Sequence, residues 1–161
     1  MTAQLTLDPV HVPPDGGETV FLVGDTYTTL LSGAQTGGTF TLLEALVPPE
    51  SGPPPHYHIA EDETFILLEG RITFRFGDEV IDARPGTVVY VPRGTPHSFK
   101  NVAGGLARMY FMFSPAGMEG MFAEIGAPGV RGQQAPPLTM ADLQAMMAVA
   151  AKYKFTVVPP T

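Results

Sequence analysis

Cysteine is absent from the 161 residues, which removes disulfides, thiolate metal sites and cysteine nucleophiles together and suits a reducing compartment. Positive charge is scarce. Nine Lys and Arg stand against 16 Asp and Glu, for a formal charge of −7, and no stretch gathers the cations. A nucleic-acid groove or an anionic-lipid surface is therefore not expected, and a small molecule is the expected partner. Long apolar runs are missing as well: nothing approaches the roughly 18 residues of a membrane span. Met1–Asp8 lacks the basic start and apolar core of a secretion signal, so a cytoplasmic location without membrane attachment is expected. No internal repeat is found, and the length suits one domain with its own core.

Glycine and proline are abundant, at 18 and 17 residues, well above the roughly 12% of average usage. With 44% hydrophobic residues the chain is nevertheless no disordered polymer, and many turns between short strands are the economical reading. Residues 1–18 form an irregular arm. Residues 19–114 read as β structure. Thr39–Val47 is rich in strand formers and ends at Pro48 and Pro49. After a proline-rich loop, Thr64–Glu69, Arg71–Phe76, Val80–Ala83, Thr87–Val91, His97–Val102 and Ala107–Phe113 follow as strands, at spacings typical of a sandwich or barrel. Past Pro115 the period changes. Met118, Met121, Phe122 and Ile125 recur at helical spacing, and Thr139 is placed to cap a second helix whose stripe is Leu143, Met146, Met147 and Ala150. Residues 115–161 are thus expected to be a helical extension packed on the same domain, ending in the extended piece Phe155–Val158.

Two patterns carry chemistry. His56-Tyr57-His58 places two imidazoles on one strand face, although composition alone gives such a pair in roughly one chain in ten. Glu63, where the β pattern resumes, is within sequence reach of the same ion. The second pattern is sharper: Gly86, Pro92, Gly94, His97 and Asn101 stand as Gly-x5-Pro-x-Gly-x2-His-x3-Asn, a chance match of about one in ten thousand or rarer. It describes a strand, a tight turn and a strand that opens with His97. The fourth histidine, His11, lies in the arm and is read as incidental.

These two runs resemble the motifs of the cupin superfamily. The first, Gly-x5-His-x-His-x3–4-Glu-x6-Gly, is met by His56, His58, Glu63 and Gly70, except that its leading glycine falls at Glu50 while the nearest glycine is Gly52. The second is the run from Gly86 to Asn101. The resemblance implies an all-β, double-stranded β-helix (a jelly-roll barrel) with short C-terminal helices. It also implies one divalent metal ion held by His56, His58, Glu63 and His97. Such a donor set suits Fe, Mn, Ni, Co, Cu or Zn and leaves coordination positions open.

By alternation, Phe65 and Leu67 share a face with Glu63, and Phe99 and Asn101 share one with His97. They either line a pocket or fill the barrel. Glu44 shares a face with Leu42 and Leu46 and is a further candidate for the pocket or its rim; Glu61 and Asp62 read as solvated. The chain also resembles bacterial single-domain cupins similar to quercetin 2,3-dioxygenase. That likeness implies a dioxygenase acting on a flavonol-like or other enol or phenol, with Glu63 as the catalytic proton acceptor and O2 as co-substrate. The alternatives are a non-catalytic cupin that binds or senses a small molecule, and a sugar isomerase or epimerase. Strands between Thr19 and Ser32 are expected to pair with a second subunit, giving a homodimer.

Overall fold

A computed structural model describes residues 7–159. The elements in chain order are β1 (Glu18–Leu22), β2 (Asp25–Leu31), β3 (Thr41–Val47), β4 (His56–His58), β5 (Asp62–Glu69), β6 (Ile72–Phe76) and β7 (Glu79–Ala83). They continue with β8 (Val88–Val91), β9 (Ser98–Asn101), β10 (Ala107–Ser114), α1 (Glu119–Ile125), β11 (Ala127–Pro128), α2 (Met140–Val149) and β12 (Phe155–Val157). The strands lie within a residue or two of the positions that alternation assigns. Residues 7–17 form no strand or helix, as expected of the arm; the arm's first six residues lie outside the described chain.

Seven antiparallel strands form one sheet in the order β11-β1-β2-β3-β10-β5-β8, and β7-β6-β9 and β12-β4 form two smaller ones. The sheets close on an aromatic core. Phe65 and Phe111 are stacked, while Phe74 and Phe99 come from the small sheet. Such offset and edge-on ring pairs pack densely. The C-terminal segment enters the same core through Met118, Met121, Phe122, Met146 and Phe155. Helix α2 starts where its sequence signals do: the Thr139 side chain accepts from the Asp142 amide, and Asp142 reaches back to the Thr139 amide, satisfying two end groups. Of its expected stripe only Met146 is buried, and Met147 is 54% exposed, because α2 meets the barrel along one narrow side. No helix of the described residues is long and apolar enough to cross a membrane. The edge of β1 expected to meet a second subunit carries β11 in part, with Val20 opposite Pro128 and Phe21 opposite Ala127.

Three details hold the barrel mouth. Glu50 occupies the left-handed region, at φ 65°, which most side chains avoid. This is the position at which the motif has glycine, so the turn is kept and the residue changed. Gly52 serves a different need, since a Cβ there would lie 2.0 Å from the Phe99 carbonyl oxygen. Asn101, fully buried, donates to the carbonyls of Val47 and Gly105 and accepts from the Ala103 amide. It thereby ties β9 to β3 and to the following turn.

At the β1–β2 turn Val23 and Gly24 both have positive φ, as a two-residue type I′ hairpin requires. Asp25 and Tyr27, two apart, then face the interior together. Asp25 is fully buried; burial pushes its carboxyl from 3.8 up to about 7, against hydrogen bonds from Ser51 and Tyr27 that lower it.

Two outcomes are expected. Asn101→Ala, which breaks the buried bond to the Val47 carbonyl and two part-buried bonds to the following turn, lowers the unfolding free energy by about 1–3 kcal/mol in urea titration; a loss under 0.5 kcal/mol contradicts this role. For Asp25 the folded chain keeps a proton that the unfolded chain releases between pH 3.8 and about 7, so the carboxyl's contribution falls as pH rises through that window. The Tm of Asp25→Asn minus that of the wild type therefore becomes more positive from pH 5 to pH 8. A flat or falling difference contradicts the burial argument.

Candidate metal centre

Strand β4 is three residues long, and its alternation turns His56 and His58 to one side. It is fixed from both edges. On one edge β12 pairs with it, Phe155 opposite His58 and Val157 opposite His56. On the other, His56 and His97 exchange backbone hydrogen bonds, N to O, of 2.9 and 2.8 Å. Glu63 reaches the same place from β5, where its neighbours are Phe113 on β10 and Val91 on β8. The turn before His97 closes on the first motif, the Gly94 amide donating to the His58 carbonyl.

One ligand atom from each of His56, His58, Glu63 and His97 falls within 4.8 Å of all the others. Three of these side chains are buried and His56 is half-buried. The rings of His56 and His97 are oriented alike: each Nδ1 sits on the carbonyl two residues earlier, Pro54 at 2.8 Å and Thr95 at 2.9 Å. Donating there leaves Nε2 as a lone pair facing the centre. His97 Nε2 lies 2.6 Å and His58 Nε2 3.3 Å from Glu63 Oε2, yet all three atoms are buried without an aligned hydrogen bond. Buried polar atoms are seldom left so. They point at a common centre and not at one another, as ligands of one ion do.

The electrostatics agree. Burial, then repulsion from His97, pushes His56 down to about 4, which keeps it neutral. Burial alone drives Glu63 up, but the close approach of the His58 and His97 imidazoles outweighs it and holds the carboxyl well below its usual range. Neutral imidazole and ionised carboxylate are the forms that bind metal. Three nitrogens and one carboxylate oxygen suit a first-row divalent transition ion, not an oxygen-seeking calcium site.

The centre borders an apolar cavity of ≈ 60 Å³. Phe65, Phe99, Phe111 and Phe113 form its barrel walls, and Met118, Met121, Phe122, Met146 and Phe155 close it from the C-terminal side. Phe65 and Phe99 thus line it together with Glu63. Leu67 does not reach it and fills the barrel interior.

Glu44 is placed elsewhere. Leu43, Ala45 and Val47 take the inner face of β3, so Glu44 falls on the outer face. There Arg131 grips it at 3.0 and 3.1 Å and Arg108 at 3.3 Å. Both faces of β3 are apolar around it, so alternation could not choose the side. Glu61, read as solvated, is instead 8% exposed, its carboxylate lying against Gly117 of the C-terminal segment; Asp62 pairs with Arg93. Tyr27, also in the cavity wall, has no motif in the sequence to announce it.

Comparison with known proteins agrees with this architecture. A family model described as "Cupin domain" matches residues 43–113. The chain is 29% identical to quercetin 2,3-dioxygenase of Bacillus subtilis over 125 residues, 71% of this chain and 37% of that enzyme. It is 34% identical to an uncharacterized protein of Methanocaldococcus jannaschii over 62 residues, 38% and 50% of the two chains. It thus spans half the length of the latter and little more than a third of the former. Among solved structures, the polyketide cyclase RemF of Streptomyces resistomycificus aligns with TM-score 0.56 at 26% identity, covering 68% of this chain and 80% of that one. A sugar phosphate isomerase of Silicibacter pomeroyi aligns with TM-score 0.58 at 19% identity, covering 65% and 75%, a likeness of fold alone. Fold, motif spacing and relatives converge on a cupin domain at residues 43–113.

Proposed function

We propose that this protein is a metal-dependent dioxygenase acting on a compact enol or phenol. The observation that carries the reading is the opening of a three-histidine, one-glutamate centre onto an apolar cavity. His56, His58, Glu63 and His97 would hold the ion, which when bound would supply Lewis-acid and redox chemistry. The chain's own part is to place and deprotonate the substrate. The aromatic walls of Phe65, Phe99, Phe111 and Phe113 suit a flat ring and exclude water. Glu63, ionised and at the cavity floor, is the base placed to take the proton of an enol or phenol O–H. The Bacillus relative, named for quercetin 2,3-dioxygenase activity, supports this class of substrate.

Size limits the substrate. The cavity of ≈ 60 Å³ is well below the ~150 Å³ void that takes up benzene. A ring therefore enters only as side chains yield, and Met118, Met121 and Met146, unbranched and flexible, are the part of the wall that can. A sugar is poorly served: its many hydroxyls would be left without partners against hydrocarbon walls. That argues against the isomerase alternative. Binding without turnover is the reading that the following experiment separates.

Elemental analysis of purified protein is expected to give about one first-row ion per chain, lost in a His56→Ala, His58→Ala double variant of unchanged fold by circular dichroism. Retention of metal by that variant overturns the centre. The protein reconstituted with Fe, Mn, Ni, Co or Cu and offered a flavonol or a catechol in an oxygen electrode is expected to consume O2. Glu63→Gln, brought to the same metal content, is expected to slow that uptake about a hundredfold or more. Full metal content with no uptake under any ion would favour the non-catalytic binding protein.

A further inference from the structure

Of the side chains lining the cavity, only His56, His58, Glu63 and Tyr27 carry nitrogen or oxygen. Three of these belong to the metal centre. Tyr27 is the exception in an otherwise hydrocarbon and thioether wall, and its setting is built. Phe111 and Phe122 meet its ring edge-on, with centroids 5.7 and 4.8 Å away, which fixes the ring plane. Its O–H donates to Asp25 Oδ2 at 3.1 Å, and Ser51 donates to the other carboxylate oxygen at 2.5 Å. Ser51 is itself anchored, its amide on the Pro48 carbonyl and its carbonyl accepting from the Asn101 amide. A chain of hydrogen bonds thus runs from the barrel frame through the fully buried Asp25 to the hydroxyl of Tyr27, a residue of the cavity wall.

This arrangement decides what Tyr27 can offer. Above about pH 7, where Asp25 is ionised and accepts at both oxygens, the Tyr27 proton is engaged, so the lone pairs of its oxygen are what remain for a ligand. A hydroxyl that accepts, alone in an apolar wall, discriminates strongly, because a ligand donor there is paired while a ligand lacking one gains nothing. We infer that Tyr27 is a specificity-determining residue that accepts a hydrogen bond from a second hydroxyl of the substrate, with Asp25 as its positioning residue. The ligand class is a dihydroxylated aromatic or enol whose one oxygen reaches the metal centre and whose other meets Tyr27. This rests on the reading of the cavity as the substrate site.

The test separates the two ideas. Zn(II)-loaded protein, which cannot consume oxygen, is titrated calorimetrically at pH 8, above the range in which Asp25 holds its proton, with phenol, resorcinol and hydroquinone, the last two unable to chelate one ion through both oxygens. At least one dihydroxylated probe is expected to bind about 3- to 10-fold more tightly than phenol, the worth of one neutral hydrogen bond. Tyr27→Phe is expected to reduce that preference to about one while phenol affinity and zinc content hold. Asp25→Ala, which keeps the tyrosine and removes the acceptor of its O–H, is expected to lower the ratio without changing phenol affinity, a pattern that mere loosening of the fold would not give. A preference that survives in Tyr27→Phe, or no preference in the wild type, overturns the role of Tyr27 and leaves the phenol site standing. Failure of all three probes to bind zinc-loaded wild type overturns the phenol site and this inference with it.

Discussion

Two backbone hydrogen bonds between His56 and His97 are the constraint on which the centre depends. They join residues 41 positions apart and carry no side-chain chemistry, yet they set one motif against the other. Once made, they bring the Nε2 atoms of both rings to one point. The carbonyls of Pro54 and Thr95, each two residues upstream, supply the same restraint to each ring. A pair of identical local devices, clamped together by the backbone, gives two of the three nitrogen ligands. His58 follows from alternation along β4, and Glu63 from the register of β5 between β8 and β10.

The remainder of the fold makes that point dry and selective. Aromatic rings from all three sheets surround it, and methionines from the C-terminal segment complete the wall. Since a neutral His56 and an ionised Glu63 are what these surroundings favour, the site is prepared for a cation. The cavity beside it has little polarity beyond the centre itself, so the few polar atoms that remain decide which ligands fit.

Much of this was legible in the chain. The strands could be read because turn residues bracket short runs of β-formers, and in Arg71–Phe76 because apolar and other residues alternate. The ligand residues could be read because two motifs fix their spacing. Phe65 and Phe99 could be placed by parity from Glu63 and His97. What escaped did so for identifiable reasons. On β3 the run Leu42-Leu43-Glu44-Ala45-Leu46 is apolar on both faces, so parity gave Glu44 no side, and the cations that hold it come from positions 108 and 131. Glu61 sits in an acidic turn, a composition that normally signals water, and its burial depends on a segment more than 50 residues later. Tyr27 and Asp25 look like an unremarked strand start. Their partnership needs the hairpin turn, Ser51 and the cavity, none of which leaves a local pattern.

The pairing of β4 with β12 also bears on the order in which the molecule can be made. His56 and His58 are laid down early in synthesis, but the residues opposite them, Val157 and Phe155, arrive about a hundred positions later. Contacts so distant in sequence form late, after the cost of closing the intervening loop has been met. The nascent chain can therefore assemble its larger sheet on the ribosome while the two histidines still lack one edge. The cluster gains its full geometry only once the segment through Val157 has emerged, which makes its completion a closing event of folding and not its nucleus.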